Sequence, residues 1–416
     1  MFKLSLHRKR SFTLLALVIA GETVFFLPFV LARIFRPTLL LVFDISNTEL
    51  GACFSLYGVL AMVSYFFGGP LADRFSARNL LSIALWLTGF GGLIMWQAPS
   101  KETLFILYGF WGITTILLFW AALIRATREW GGEDLQGRAF GWLEGGRGAT
   151  AAFLGTMALF VFSDFSGEPT SLVVERINSY RQVVLFTSLF TMFTGVVTWI
   201  FVPYNKEAYL GERIKTKDFT FLLKMPVIWL LSIIIVCAYV CYKITDDFSL
   251  YANEVIGVDE VKAAGFGTGA LWMRAVVAVI AGYVADKIKA SRIIIYCFII
   301  AATGGVLLAL GLFEQGILLL ILNFIIIMVG IYGLRALYFA LIHEGRIPIL
   351  LTGTAVGIIS IIGYTPDVFM SPWMGYLLDT NPGVSGHRLV FWVLTGFSLL
   401  GLMAALGFVR LNKPSS

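Results

Sequence analysis

Along its 416 residues the chain alternates long apolar runs with short polar interruptions. The runs are about 17 to 24 residues long, the length that carries an α-helix across the hydrocarbon core of a bilayer. Six of them, 12–35, 50–67, 80–96, 104–124, 140–162 and 183–202, precede a polar stretch. Six more, 227–248, 265–284, 293–313, 317–339, 353–369 and 389–408, follow it. Each must be helical, because an unpaired peptide group facing lipid costs several kcal/mol. The pattern predicts an all-α integral membrane protein of twelve transmembrane helices. It divides into a six-helix bundle over 1–202, a linker over 203–224 and a second six-helix bundle with a tail over 225–416.

Composition narrows the classes. The chain is 58% hydrophobic and 13% charged, with a mean hydropathy of +0.86, whereas soluble domains carry about a quarter charged residues. The longest polar stretches, 163–182 and 203–225, fall below the roughly 50 residues of an independent domain, which excludes an appended catalytic domain. The excess of 31 basic over 25 acidic residues lies in short loops at the ends of the runs. Such bases orient a membrane protein and do not form a nucleic-acid surface. They are concentrated on the side of both termini, so a multi-pass protein of the plasma (inner) membrane with cytoplasmic ends is expected. The apolar run after Arg10 is too long for a cleavable signal. Cys53, Cys237, Cys241 and Cys297 lie in apolar runs and read as buried thiols. His7, His343 and His387 stand alone in loops or termini and read as solvated. No metal or cofactor is expected, and with no Walker-type glycine loop the energy for any transport must come from a gradient.

An internal repeat accompanies the division. Gly69-Pro-Leu-Ala-Asp73-Arg74-Phe-Ser-Ala-Arg78 follows the second run, and Gly282-Tyr-Val-Ala-Asp286-Lys287 follows the eighth. The two aspartates are 213 residues apart, and the same offset carries Phe12 to Met225 at the start of the seventh run. Two pseudo-symmetric halves are the expected result.

The Gly-x-Leu-Ala-Asp-Arg-x-x-x-Arg pattern at Gly69–Arg78, between the second and third runs, resembles the signature loop of the major facilitator superfamily. That resemblance implies a secondary transporter that works by alternating access, usually as a monomer. It also implies that Gly69, Asp73, Arg74 and Arg78, with Asp286 and Lys287 of the degenerate copy, form a conformational latch. The segment Phe119–Arg125, with Trp130, Gly137, Arg138, Trp142 and Arg147, is similar to the organophosphate/phosphate antiporter branch. Arg33 and Lys243 fall near that branch's basic positions in the first and seventh spans, with lysine in place of arginine at 243; its histidine in span five has no match.

Ionisable residues inside such runs cost about 2.5 to 3.5 kcal/mol each and mark function by default. They are Glu22, Glu144, Arg147, Lys243, Asp246, Asp247, Arg274 and Arg335, with Arg33, Arg36 and Asp367 nearer the outer end. Glu22 and Arg33 are 11 residues apart, close to three helical turns, and share a stripe of the first helix. Glu144 with Arg147, and Lys243 with Asp246 or Asp247, have the i, i+3 or i, i+4 spacing of local ion pairs. Each pair is either a self-contained bundle contact or a base held toward a central cavity; Arg33 and Lys243 alternatively snorkel outward. Arg274 and Arg335 read as bundle-stabilising, and Asp367 as structural beside the helix break at Pro366.

Bases from both halves, Arg33, Arg147 and Lys243, are thus the candidate binding residues, meeting at the midplane where such transporters hold cargo. Surplus positive charge there favours a small anion, a phosphate ester or a carboxylate, because guanidinium groups engage both bidentately. Glu22 is the candidate coupling group, with Glu144, Asp246 and Asp247 as further proton or charge-pairing sites. Trp142, Tyr239, Tyr242 and Tyr364 are candidate cavity-lining residues. Glycines 145, 146 and 148, and the pair Gly304–Gly305, suit close helix packing. Partners are then the anion and the lipid bilayer, with no nucleic acid. Two other readings remain: a proton-driven exporter of amphipathic compounds, and a transporter-shaped metabolite sensor.

Overall fold

The computed structural model describes residues 2–131, 136–165, 173–204, 216–285, 287–312, 316–347 and 352–412. Among these, twelve helical spans are long and apolar enough to cross a membrane. In order they are spans 1 to 6, Arg10–Ile34, Asn47–Gly69, Ala77–Trp96, Lys101–Gly131, Gly141–Asp164 and Val173–Phe201, and spans 7 to 12, Pro226–Glu254, Glu260–Ala285, Ala290–Ala309, Leu318–Ala340, Ala355–Thr380 and Val384–Leu411. Each predicted run lies within or beside its span. The helices run on past the apolar stretch because polar turns outside the bilayer remain helical; span 6, with Glu175 and Arg176 in its opening turns, starts well before Val183. A short helix, Thr216–Leu223, sits in the linker between spans 6 and 7.

Several spans are broken, and the sequence explains where. In span 1 the helix widens to an i→i+5 turn over Phe26–Val30, where Pro28 has no N–H to give the preceding turn. In span 4 a similar turn covers Thr114–Trp120, beside Thr115 Oγ1, which donates to Trp111 O at 2.7 Å. Span 7 tightens over Thr245–Asp247, span 10 over Tyr338–Ala340, and span 11 breaks between Gly363 and Pro366. Spans 1 and 7, and spans 4 and 10, hold corresponding places in the two halves, so the repeat extends to the interruptions. After the interruption the short helix Arg36–Phe43 corresponds, at the 213-residue offset, to Phe248–Glu254.

The two six-helix halves meet along spans 2 and 11 and along spans 5 and 8. Small residues set the approach: a Cβ on Gly51 would lie 2.5 Å from Pro372 Cα, and one on Gly375 2.2 Å from Asn47 O. Bonds that join the halves gather from mid-span to the end away from the termini, here called the distal end. Asp379 of span 11 accepts from the backbone N–H groups of Asn47 and Thr48 at 3.1 and 2.6 Å, capping the start of span 2. Arg176 pairs with Glu260 at 2.7 Å, and Ser249 Oγ donates to Arg33 O at 2.8 Å.

Toward the termini the seam opens. Residues 141, 145 and 148 share one face of span 5. A Cβ on Gly148 would meet Ala275 of span 8 at 3.4 Å, whereas one on Gly145 or Gly141 would meet nothing. The close-packing expectation therefore fails at Gly145 but suits Gly146, against Val18, and Gly304 and Gly305, against Ile327 and Thr395. All four cysteines are buried and unpaired.

Candidate functional site

At mid-span a buried acid of the first half holds bases from both halves. Glu22 accepts from Arg274 Nη1 of span 8 at 3.0 Å and lies 3.2 Å from Arg147 Nε of span 5. Arg147 reaches it across Gly21, where any side chain would meet the arginine stem at 3.3 Å. From the other side Arg147 Nη1 donates to Glu144 Oε1 at 2.8 Å. The two acids differ in surroundings: the Glu22 side chain is 3% exposed and that of Glu144 56%. Buried and shared, Glu22 cannot be removed without stranding charge, which costs about 3 to 5 kcal/mol. A half-exposed pair such as Glu144 with Arg147 holds with less than about 1 kcal/mol.

A second cluster lies further toward the distal end. Arg33 Nε donates to Asp246 Oδ1 at 2.6 Å and Arg33 Nη1 to the Tyr242 hydroxyl at 2.7 Å. Arg33 and Asp246 are 213 residues apart, so equivalent positions of the two halves touch, and the pseudo-twofold axis passes between them. Lys243 Nζ lies 3.3 Å from Asp246 and 3.6 Å from Asp367, over the rings of Phe29 and Phe54. Arg33 and Lys243 are both buried, so the outward-snorkelling alternative is set aside. Glu22 and Arg33 do not partner each other, because the widened turn at Phe26–Val30 interrupts their common stripe.

Arg335 of span 10 is different. Among the described residues no carboxylate lies within ion-pairing distance of it, and its Nη1 is buried without a hydrogen-bond partner. It stands 4.0 Å from the ring centre of Tyr242 and 5.6 Å from that of Tyr239. Tyr239 stacks on Tyr242 at 5.8 Å and meets Tyr364 edge-on at 4.9 Å; its hydroxyl donates to Asp367 at 3.0 Å. Three arginines, Arg33, Arg274 and Arg335, surround the single ring of Tyr242. Across the cluster five bases, Arg33, Arg147, Lys243, Arg274 and Arg335, face four acids, Glu22, Glu144, Asp246 and Asp367, which leaves one positive charge in excess.

Of the predicted binding bases, then, Arg33, Arg147 and Lys243 all carry acids, and among the five bases of this cluster the one with no acid within ion-pairing distance, among the described residues, is Arg335, which sequence reading assigned to bundle stability. Asp247 does not pair with Lys243; it binds His387 Nδ1 at 2.7 Å, and His387 Nε2 lies 3.2 Å from Glu254. His387 is fully buried, which corrects the expectation of a solvated loop histidine. Its side chain cannot be left without partners there, and Asp247 and Glu254, two turns apart on span 7, supply them. Arg36, between spans 1 and 2, is also buried; burial pulls its guanidinium below its ordinary pKa against the pull of Asp247, Asp246 and Asp379. Its Nε donates to Asn47 Oδ1 at 2.9 Å.

Trp142 is 65% exposed and joins none of the ring contacts of the tyrosines. In the proposed latch, Arg78 lies over Trp199 and Tyr204 of its own half at 4.5 and 4.7 Å. Arg74 and Lys287 are exposed, and a Cβ on Gly69 would meet nothing. The side chain of Asp73, and Asp286, lie outside the described residues. Arg125, which the sequence placed in the Phe119–Arg125 segment and not in the latch, donates through Nη1 to Ala72 O at the end of span 2.

The family model described as "Major Facilitator Superfamily" matches residues 12–366. The chain is 28% identical to the inner membrane protein YqcE of Escherichia coli (strain K12), over 97% of this chain and 95% of the relative. It is 26% identical to the inner membrane protein YihN of the same organism, over 97% and 96%. Among solved structures, a bacterial homolog of the human lysosomal transporter Spinster, inward-facing and unoccupied, superposes with a TM-score of 0.77 at 16% identity, covering 98% of this chain and 99% of that one.

Proposed function

The chain belongs to the Major Facilitator Superfamily, and on that footing we propose that it is a secondary active transporter of a small organic anion, coupled to protons or to anion exchange. The observation that carries this reading is Arg335, a base with no carboxylate partner in a cluster that holds one surplus positive charge. Cargo with a carboxylate or phosphate satisfies its free N–H groups bidentately. Arg274 and Arg33 extend the positive field, and Tyr239, Tyr242 and Tyr364 offer ring surface beside it. The protein resides in the inner membrane with both termini in the cytoplasm, so closure at the distal end makes this arrangement inward-facing. Glu22, bonded to a base of each half, is the coupling group: neutralised, it releases Arg274 for cargo, leaves Arg147 to Glu144 alone, and loosens the tie between the halves.

A thermal-stability screen of the purified protein tests this. Acetate, lactate, glucuronate, glycerol 3-phosphate and inorganic phosphate are compared with neutral sugars and hydrophobic cations. A ligand at 100 times its Kd stabilises by about 2.7 kcal/mol. At least one anion is expected to raise the melting temperature of the wild type, Arg335→Gln to abolish the response and Arg335→Lys to keep part of it. Stabilisation by hydrophobic cations alone, unchanged in Arg335→Gln, would contradict the reading and favour an exporter of amphipathic compounds.

A further inference from the structure

Glu144 is the acid of the cluster that burial does not hold in place. It lies on the 141–145–148 face of span 5, where that face parts from span 8, and its side chain is more than half exposed while that of Arg147 is 6% exposed. Its carboxylate accepts from Arg147 Nη1 at 2.8 Å. Arg147 meanwhile keeps its second acid, Glu22, on the buried side at 3.2 Å. A carboxylate thus rests on the open side of Arg147, tethered by its own side chain and, among the described residues, pinned by that arginine alone.

We propose that Glu144 is a built-in counter-ion seated where the anionic group of the cargo binds, and that the cargo displaces it from Arg147. This rests on the anion-transport reading and narrows it to monocarboxylates. A carboxylate is planar, with two oxygens, as is the group it would replace. Exchanging one carboxylate for another also leaves the charge of the cluster unchanged, whereas a phosphate-ester dianion in the same seat lowers it by one. The device also gives an empty carrier a neutralised Arg147, so it can reorient unloaded.

The test uses the full-length protein and sodium acetate as probe, with thermal stability read against sodium chloride at matched ionic strength. Glu144→Ala empties the seat; Glu144→Gln removes the charge but keeps the volume and guards against misfolding of the first variant. Both are expected to respond to acetate at concentrations at least tenfold lower than the wild type, and more tightly to acetate than to inorganic phosphate; adding Arg147→Gln is expected to abolish the gain. If the Glu144 variants respond to acetate no more tightly than the wild type, while Arg335-dependent stabilisation by other anions persists, the counter-ion role is overturned and anion transport stands. A tighter response to phosphate than to acetate in Glu144→Ala overturns the monocarboxylate assignment. Loss of every Arg335-dependent anion response in the wild type removes the transport reading itself.

Discussion

Glu22, like Asp246, compensates two buried bases at once, Arg274 from one half and Arg147 from the other. Glu22→Gln leaves both facing a neutral amide in a buried site and is expected to lower stability by about 3 to 5 kcal/mol. Thermal unfolding of the purified variant checks this; a melting temperature within a degree of the wild type would contradict it. The local pairs were legible in the sequence, because i, i+3 spacing on a helix brings Lys243 to Asp246 and Glu144 to Arg147. Pairs between spans were not: nothing near Arg274 in the sequence points to Glu22, 252 residues away. His387 was misread for the same reason, although the two acids two turns apart on span 7 were a usable signal. Arg335 was set aside because spacing reveals partners that exist and is silent about a missing one.

The helices act through their ends and their interruptions. Asp379 caps span 2 from the opposite half, so it both stabilises that helix and fastens the distal seam. Asp379→Ala is expected to cost about 1 to 2 kcal/mol. It should also speed alkylation of a thiol introduced as Thr48→Cys several-fold over Thr48→Cys alone; an unchanged rate would show that the cap does not fasten the seam. Gly375→Val, forced against Asn47 O, is expected to act in the same direction. Sequence placed the spans well, since apolar length fixes a membrane helix, and the break at Pro366 was legible from the proline. The break at Thr245–Asp247 was not, because it depends on side-chain to backbone bonds such as Thr245 Oγ1 to Tyr242 O at 2.7 Å.

The whole molecule is two related bundles hinged over a charged cluster on their pseudo-axis. The 213-residue offset visible in the loops recurs in the Arg33–Asp246 contact. What no sequence pattern fixed is the conformational state, because closure at one end and opening at the other differ only in which pairs of spans touch. Entrance counterflow in proteoliposomes tests anion transport through Arg335 independently of the coupling ion and of net charge movement. Vesicles are loaded with the anion that most stabilises the protein, and a trace of the same labelled anion is added outside. The wild type is expected to accumulate label transiently, and Arg335→Gln to show no overshoot while remaining folded. An equal overshoot in Arg335→Gln, or counterflow of a neutral sugar or a hydrophobic cation in place of the anion, would contradict the account.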